Sequence, residues 1–85
     1  MLRLRVKEVA EAKGFSMTKL SHRTEISYNT IKGIFRNPYR TVNTNTLIRI
    51  ANALNVPTTE LIEDVTEDFA RAEQEQIGND EEEDD

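Results

Sequence analysis

The chain has 85 residues, no cysteine and a formal net charge of -5 at pH 7. This length predicts one small domain with a modest core, and the absence of cysteine excludes disulfides, thiolate metal sites and thiol nucleophiles. No apolar run reaches the length of a signal peptide or a membrane span. We therefore expect a soluble, cytoplasmic protein that does not bind membranes.

The net charge averages two regions of opposite sign. Residues 1–62 contain ten Lys and Arg against four acidic residues, whereas residues 63–85 contain twelve acidic residues and Arg71 alone. A basic body with an acidic tail is typical of proteins that bind nucleic acid, and the overall charge does not exclude such binding. We expect a globular domain over 1–64 and an acidic tail over 65–85.

The first helix is predicted over 5–13, with Gly14 as its left-handed stop. Before it, Leu2 and Leu4 alternate with Arg3, which is strand periodicity. The sequence leaves two interpretations open. The segment is either a short edge strand that pairs with residues near 62–65 or a frayed helical turn.

Residues 16–37 have the spacing of two short helices joined by a tight turn. Ser16 and Ser27 are placed to accept hydrogen bonds from the free amides that open each helix. The inward apolar residues are Leu20, Ile26, Ile31 and Ile34. This is helix-turn-helix spacing, and it predicts a second helix over 27–36 of a size that enters a DNA major groove.

The outer face of that second helix is polar. Its candidate base contacts are Tyr28, Asn29, Thr30, Lys32 and Gly33. Asn29 suits adenine, Lys32 suits guanine, and Tyr28 suits a thymine methyl or a phosphate. The alternative is that these residues only solvate an exposed helix. Gly33 is either a tolerated imperfection or a position where the backbone comes close to DNA.

The following segments complete an all-helical pattern. Asn37, Pro38 and Tyr39 mark a turn, and Asn43 is the predicted cap of a fourth, amphipathic helix. Pro57 is predicted to open a short fifth helix over 58–63. The acidic tail is expected to be partly helical at most and disordered from about residue 78.

Two motifs together resemble a known family. They are Ser16-x-x-x-Leu20-Ser21-x-x-Thr24-x-Ile26-Ser27-x-x-x-Ile31 and Thr46-Leu47-x-x-Ile50-Ala51-x-Ala53-Leu54-x-Val56. Their order and spacing resemble the lambda-repressor-like (Cro and repressor, or XRE-like) helix-turn-helix family over about residues 4–63. The resemblance implies an all-α, compact five-helix DNA-binding domain whose third helix reads bases. It also implies a sequence-specific transcriptional regulator that binds double-stranded DNA and acts as a repressor. Members of the family commonly act as homodimers.

The same resemblance and the local charge supply candidate phosphate contacts. They are Ser16, Thr18, Lys19, Arg23, Ser27, Arg36, Tyr39, Arg40 and Thr41. Arg3 and Arg5 are less favoured candidates because they lie away from the motif.

The chain departs from the family in two places. Met17 stands where many members have Gln. Ala10 and Phe35 stand where many members have a buried Arg and Glu, and replacing both charged partners by apolar residues is tolerated. We therefore predict that Phe35 packs over Ala10 inside the core.

No feature of the sequence indicates catalysis. His22 is the single histidine and is expected on the surface, and no metal-ligand cluster, glycine-rich phosphate loop or carboxylate pair is present. We expect no enzyme activity, no metal and no cofactor.

The role of the acidic tail stays open. The tail is a solvated appendage, or it competes with DNA for the basic face, or it docks a protein partner through Val65, Phe69 and Ile77. The last possibility gives an alternative function, a protein-binding module such as an antitoxin.

Overall fold

The structure is a computed structural model that describes residues 1–83, with side chains described as far as residue 78. The elements in chain order are β1 (Leu2–Leu4), α1 (Val6–Ala12), α2 (Met17–Thr24), α3 (Tyr28–Arg36), α4 (Thr44–Leu54), a 3₁₀ helix (Thr58–Leu61), β2 (Ile62–Asp64) and α5 (Glu67–Glu83). The predicted all-α class with five helices is confirmed within the described residues. None of the helices described there is both long enough and apolar enough to cross a membrane.

The helix starts follow the capping signals in the sequence. Ser16 accepts a hydrogen bond from the Lys19 amide at 3.1 Å, and Ser27 accepts one from the Thr30 amide at 3.2 Å. Asn43 caps α4 in the same way. Each cap satisfies one of the amides that a helix leaves without an internal partner.

One apolar core joins all four helices of the basic region. Its members are Leu4, Val6, Ala10, Leu20, Ile31, Ile34, Leu47, Ile50, Ala51, Leu54 and Leu61. α2 packs on both α3 and α4, and α1 packs on α3, so α3 has the core behind it. Phe35 is half-buried against this core, whereas Ala10 is fully buried. Phe35 therefore lies at the edge of the core and not inside it.

The strand interpretation of the N-terminus is confirmed. β1 pairs antiparallel with β2, with Leu2 opposite Asp64 and Leu4 opposite Ile62. The predicted helix over 58–63 is wrong in its second half, because residues 62–63 belong to β2 and pair with β1. Only a 3₁₀ helix forms before Ile62, because pairing with β1 requires extended backbone from that residue onward.

A helix covers most of the acidic tail. α5 runs from Glu67 to Glu83, and residues 84–85 lie outside the described residues. The expectation that the tail is partly helical at most and disordered from about residue 78 stays a prediction. Thr66 caps the helix at the Phe69 amide, and Glu67 and Asp68 lie at its positive end. Ala70 is 2% exposed, so the first turns of α5 are packed on the domain.

Candidate nucleic-acid interface

Side-chain hydrogen bonds fix the turn between α2 and α3. Ser21 Oγ donates to the Ile26 carbonyl at 2.6 Å, and the buried Thr24 hydroxyl donates to the Leu20 carbonyl at 2.7 Å. Thr24 Oγ1 also accepts the Ile26 amide at 3.3 Å. Glu25 supplies the reversal with a left-handed φ of 59°. α2 and α3 therefore form one unit with a defined angle between them.

α3 turns a polar stripe away from the core. Ile31 and Ile34 are 0% and 2% exposed, and they hold the inner face of the helix. Asn29, Gly33 and Arg36 follow one another at intervals of four and three residues, so they lie together on the opposite face. Asn29 and Arg36 are exposed. This stripe lies on the side of α3 that faces away from the core.

The other predicted base contacts flank the stripe. Tyr28 is 43% exposed, and Lys32 is half-buried beside it. Thr30 is also half-buried, and its hydroxyl accepts a hydrogen bond from Ser27 Oγ at 2.9 Å. Asn29, Lys32 and Gly33 therefore share one surface of α3, with Tyr28 and Thr30 at its two borders.

Arg40 lies across α3 at Gly33. A Cβ added to Gly33 would overlap Nη1 of Arg40 and would lie 3.1 Å from its Cζ. The sequence allows two interpretations of Gly33, a tolerated imperfection of the helix or a point where the backbone comes close to DNA. The group that approaches its backbone in the structure is the guanidinium of Arg40.

Two cations of α2 share one aromatic ring. The Lys19 ammonium lies 4.6 Å from the centroid of the Phe15 ring, and the Arg23 guanidinium lies 5.7 Å from it. Cation–π attraction at such distances restrains both side chains. Sequence reasoning missed Phe15, although an aromatic residue directly before the cap Ser16 is the position of a hydrophobic staple.

Four cations on α2, α3 and the loop after α3 differ from Arg3 and Arg5 in their pairing. Within residues 1–78, no acidic side chain pairs with Lys19, Arg23, Lys32 or Arg40. Arg3 and Arg5, by contrast, pair with carboxylates of Glu73 and Glu63 at 2.8 Å and 3.2 Å. Lys19, Arg23, Lys32 and Arg40 are thus available for phosphates, whereas Arg3 and Arg5 tie the N-terminal strand region to the acidic residues that follow Ile62.

A carboxylate of α5 is the second feature that the sequence did not reveal. Glu73 accepts from Nε and Nη2 of Arg3 at 2.8 and 2.9 Å, and it also accepts the hydroxyl proton of Tyr39. The hydrogen bonds from Arg3 lower the pKa of Glu73. Burial and the bond to Glu73 raise the pKa of Tyr39 to about 12. Tyr39 was predicted to contact phosphate, but its hydroxyl faces α5.

The predicted hydroxyl contacts fall into two groups. Thr18 and Thr41 are exposed. Ser16 and Ser27 are exposed as well, but their oxygens also accept the capping hydrogen bonds of α2 and α3. Because Ser16 and Ser27 are exposed, the amide ends of α2 and α3 lie at the surface, where anions bind favourably.

Comparisons with known proteins agree with this geometry. A family model described as "Cro/C1-type HTH DNA-binding domain" matches residues 5–67. The solved structure of a "putative DNA-binding protein from Bacteroides fragilis" superposes with a TM-score of 0.67 at 28% sequence identity, and the alignment covers 74% of this chain and 100% of that one. The comparison with curated proteins returned no match.

Proposed function

Because the chain belongs to the Cro/C1-type helix-turn-helix DNA-binding domain family, we propose that it is a sequence-specific repressor of transcription in the cytoplasm. In this role α3 enters the major groove of double-stranded DNA. The observation that carries the proposal is the stripe of Asn29, Gly33 and Arg36, whose two ends, Asn29 and Arg36, are exposed on a helix whose opposite face is buried.

Charge and shape support the same role. Residues 17–41, which include α2, α3 and the start of the loop that follows, contain five Lys and Arg and a single acidic residue, Glu25. The surface around the stripe therefore attracts phosphates. A major groove about 12 Å wide admits an α-helix such as α3.

Selection of duplexes from a random pool tests the proposal directly. We expect a recovered site, and we expect Asn29→Ala and Lys32→Ala each to weaken binding to it by roughly 10- to 100-fold, because each loses contact with a base edge. Lys13→Ala is the control, since Lys13 lies at the end of α1 and lines a different surface from α3. Equal affinity for all duplexes, or full affinity of Asn29→Ala, would contradict the proposal.

A homodimer is part of the proposal. A dimer of this kind places its two recognition helices about 34 Å apart, one turn of DNA. The recovered site should then show two-fold symmetry with half-sites about 10 base pairs apart. Sedimentation of the protein with a single half-site and with a full site measures the stoichiometry.

One observation favours a second candidate, a protein partner for the acidic tail. Phe69 on α5 is 52% exposed, so its ring is accessible to a partner. Phe69→Ser separates the two roles. If the protein is a DNA regulator, Phe69→Ser should keep its affinity for the recovered site and Asn29→Ala should lose it. Loss of affinity in Phe69→Ser with full affinity in Asn29→Ala would favour the tail as the functional element.

A further inference from the structure

We propose that Arg40 reads a guanine at the centre of the interface, and that Gly33 is the residue that makes room for it. The inference rests on the proposed function and deepens it, since it assigns one base contact to a residue of the loop after α3. Arg40 would then be a specificity-determining residue and not a phosphate contact.

The position of Arg40 favours a base contact. Gly33 lies in the stripe of α3 that faces away from the core, four residues after Asn29 and three before Arg36. The guanidinium of Arg40 lies against the Gly33 backbone, so it occupies the gap that the missing side chain leaves in that stripe. Phosphates lie at the rims of a groove, whereas base edges lie at its floor. A group in the middle of the stripe faces the floor.

The loop also holds the backbone of Arg40 in place. Pro38 is buried, and its carbonyl accepts the Leu4 amide at 2.7 Å. The Tyr39 amide donates to Asn37 Oδ1 at 3.0 Å, and the Arg40 amide donates to the Asn37 carbonyl at 3.1 Å. The backbone on the N-terminal side of Arg40 is therefore anchored to the domain, and a preorganised side chain loses less entropy when it binds.

The chemistry of the guanidinium favours guanine. Within the described residues no carboxylate pairs with Arg40, so its five donors are available. A planar guanidinium forms two parallel hydrogen bonds to O6 and N7 of guanine, and this is the commonest specific contact in the major groove. Guanine is therefore the base that we assign to Arg40.

Gly33 itself favours the same assignment. A glycine inside a helix is less favourable than alanine, and a β-carbon at Gly33 would overlap Arg40. Gly78 is a useful contrast, because it is also helical and a β-carbon there meets nothing within 4 Å. The two glycines separate the effect on Arg40 from the general effect of alanine on a helix.

The test uses the duplex recovered by selection, with its guanines replaced one at a time by 7-deazaguanine, which lacks the N7 acceptor. For wild-type protein, replacing the guanine at one position should lower the affinity by roughly 10-fold or more. Arg40→Ala should bind the natural site more weakly than wild type by a similar factor. Replacing that same guanine should not change the affinity of Arg40→Ala. Gly33→Ala should weaken binding without a fall in melting temperature, and it should add no further loss to Arg40→Ala. Gly78→Ala should bind like wild type.

The outcomes distinguish the two proposals. If wild-type protein selects no duplex, the proposed function fails and the inference fails with it. If a site is recovered but Arg40→Ala weakens all duplexes by the same factor, Arg40 is a phosphate contact and the inference alone is overturned. A site without an invariant guanine, or full affinity of Gly33→Ala, would also overturn the inference alone.

Discussion

Glu73→Gln is the substitution that most sharply tests how the acidic helix is attached. The Glu73 carboxylate accepts two hydrogen bonds from Arg3 and one from Tyr39, and its side chain is 25% exposed. Glutamine has nearly the same size but carries no charge, and its amide nitrogen cannot accept a hydrogen bond. The substitution therefore removes the ion pair and at least one of the three bonds while leaving the helix sequence almost unchanged.

The expected loss is moderate. A hydrogen bond to a charged group contributes about 1.5–3 kcal/mol when buried, and partial solvent exposure reduces this value. Arg3 keeps its second partner, Glu8, so no isolated charge is left behind. We expect the free energy of unfolding to fall by roughly 1–2 kcal/mol, which corresponds to a fall of about 5–10 °C in melting temperature for a domain of this size.

The pH dependence has a definite sign. The folded state lowers the pKa of Glu73 below its usual 4.5, so the stability that this group contributes is present above the unfolded pKa. It is lost as pH falls through the folded pKa. The difference between wild type and Glu73→Gln should therefore be full at pH 7 and shrink progressively below about pH 4.5.

Urea denaturation followed by circular dichroism measures both quantities. Glu75→Gln is the matched control, because it removes the same charge from the exposed side of the same helix. That variant should change stability by no more than about 0.5 kcal/mol. If Glu73→Gln and Glu75→Gln are equally stable at pH 7, the ion pair does not hold α5 and the reasoning is refuted.

Two further predictions concern α2 and its turn. Lys19→Gln should reduce the slope of the logarithm of DNA affinity against the logarithm of salt concentration by about 0.9, because one phosphate is no longer neutralised, whereas Lys13→Gln should leave the slope unchanged. Glu25→Gly should raise the free energy of unfolding by roughly 0.5–1 kcal/mol, because Glu25 has a left-handed φ of 59° that glycine adopts without a steric penalty. Glu25→Ala removes the same charge but keeps the β-carbon, so a gain of equal size in that variant would contradict the reasoning.

Local signals in the sequence were sufficient to predict the helix-turn-helix. Ser16, Ser27 and Asn43 each cap the helix that follows them, as predicted. A cap acts on amides three residues away, and an apolar stripe repeats within one helix. Such features depend on neighbours in the chain, so a single sequence is enough to identify them.

Features that depend on distant residues were harder to predict. Ile62 is in a strand because Leu4 lies opposite it, 58 positions earlier in the chain. Glu73 is one of many acidic residues of the tail, and only the folded chain shows that it meets Arg3 and Tyr39. Arg40 likewise resembles any other loop cation until its contact with Gly33 is known. In each case tertiary contacts select one outcome among several that the local sequence allows.

The contacts of Glu73 also change what the acidic helix is expected to do to DNA binding. Tyr39 is held by Glu73, and Arg40 is the next residue, so α5 restrains the loop that delivers Arg40 to α3. If the tail competes with DNA, neutralising Glu73 should tighten binding, because one carboxylate that opposes the DNA phosphates is removed. A tail that anchors the loop predicts weaker binding.

The comparison with Glu75→Gln removes the general effect of one negative charge on affinity. We expect Glu73→Gln to bind the recovered site several-fold more weakly than Glu75→Gln, with no such difference in an Arg40→Ala background, as fluorescence anisotropy at low salt would measure. Tighter binding by Glu73→Gln than by Glu75→Gln would mean that the acidic helix opposes DNA. The sign of this one ratio therefore decides whether α5 is a competitor of DNA or a part of the scaffold that presents the interface.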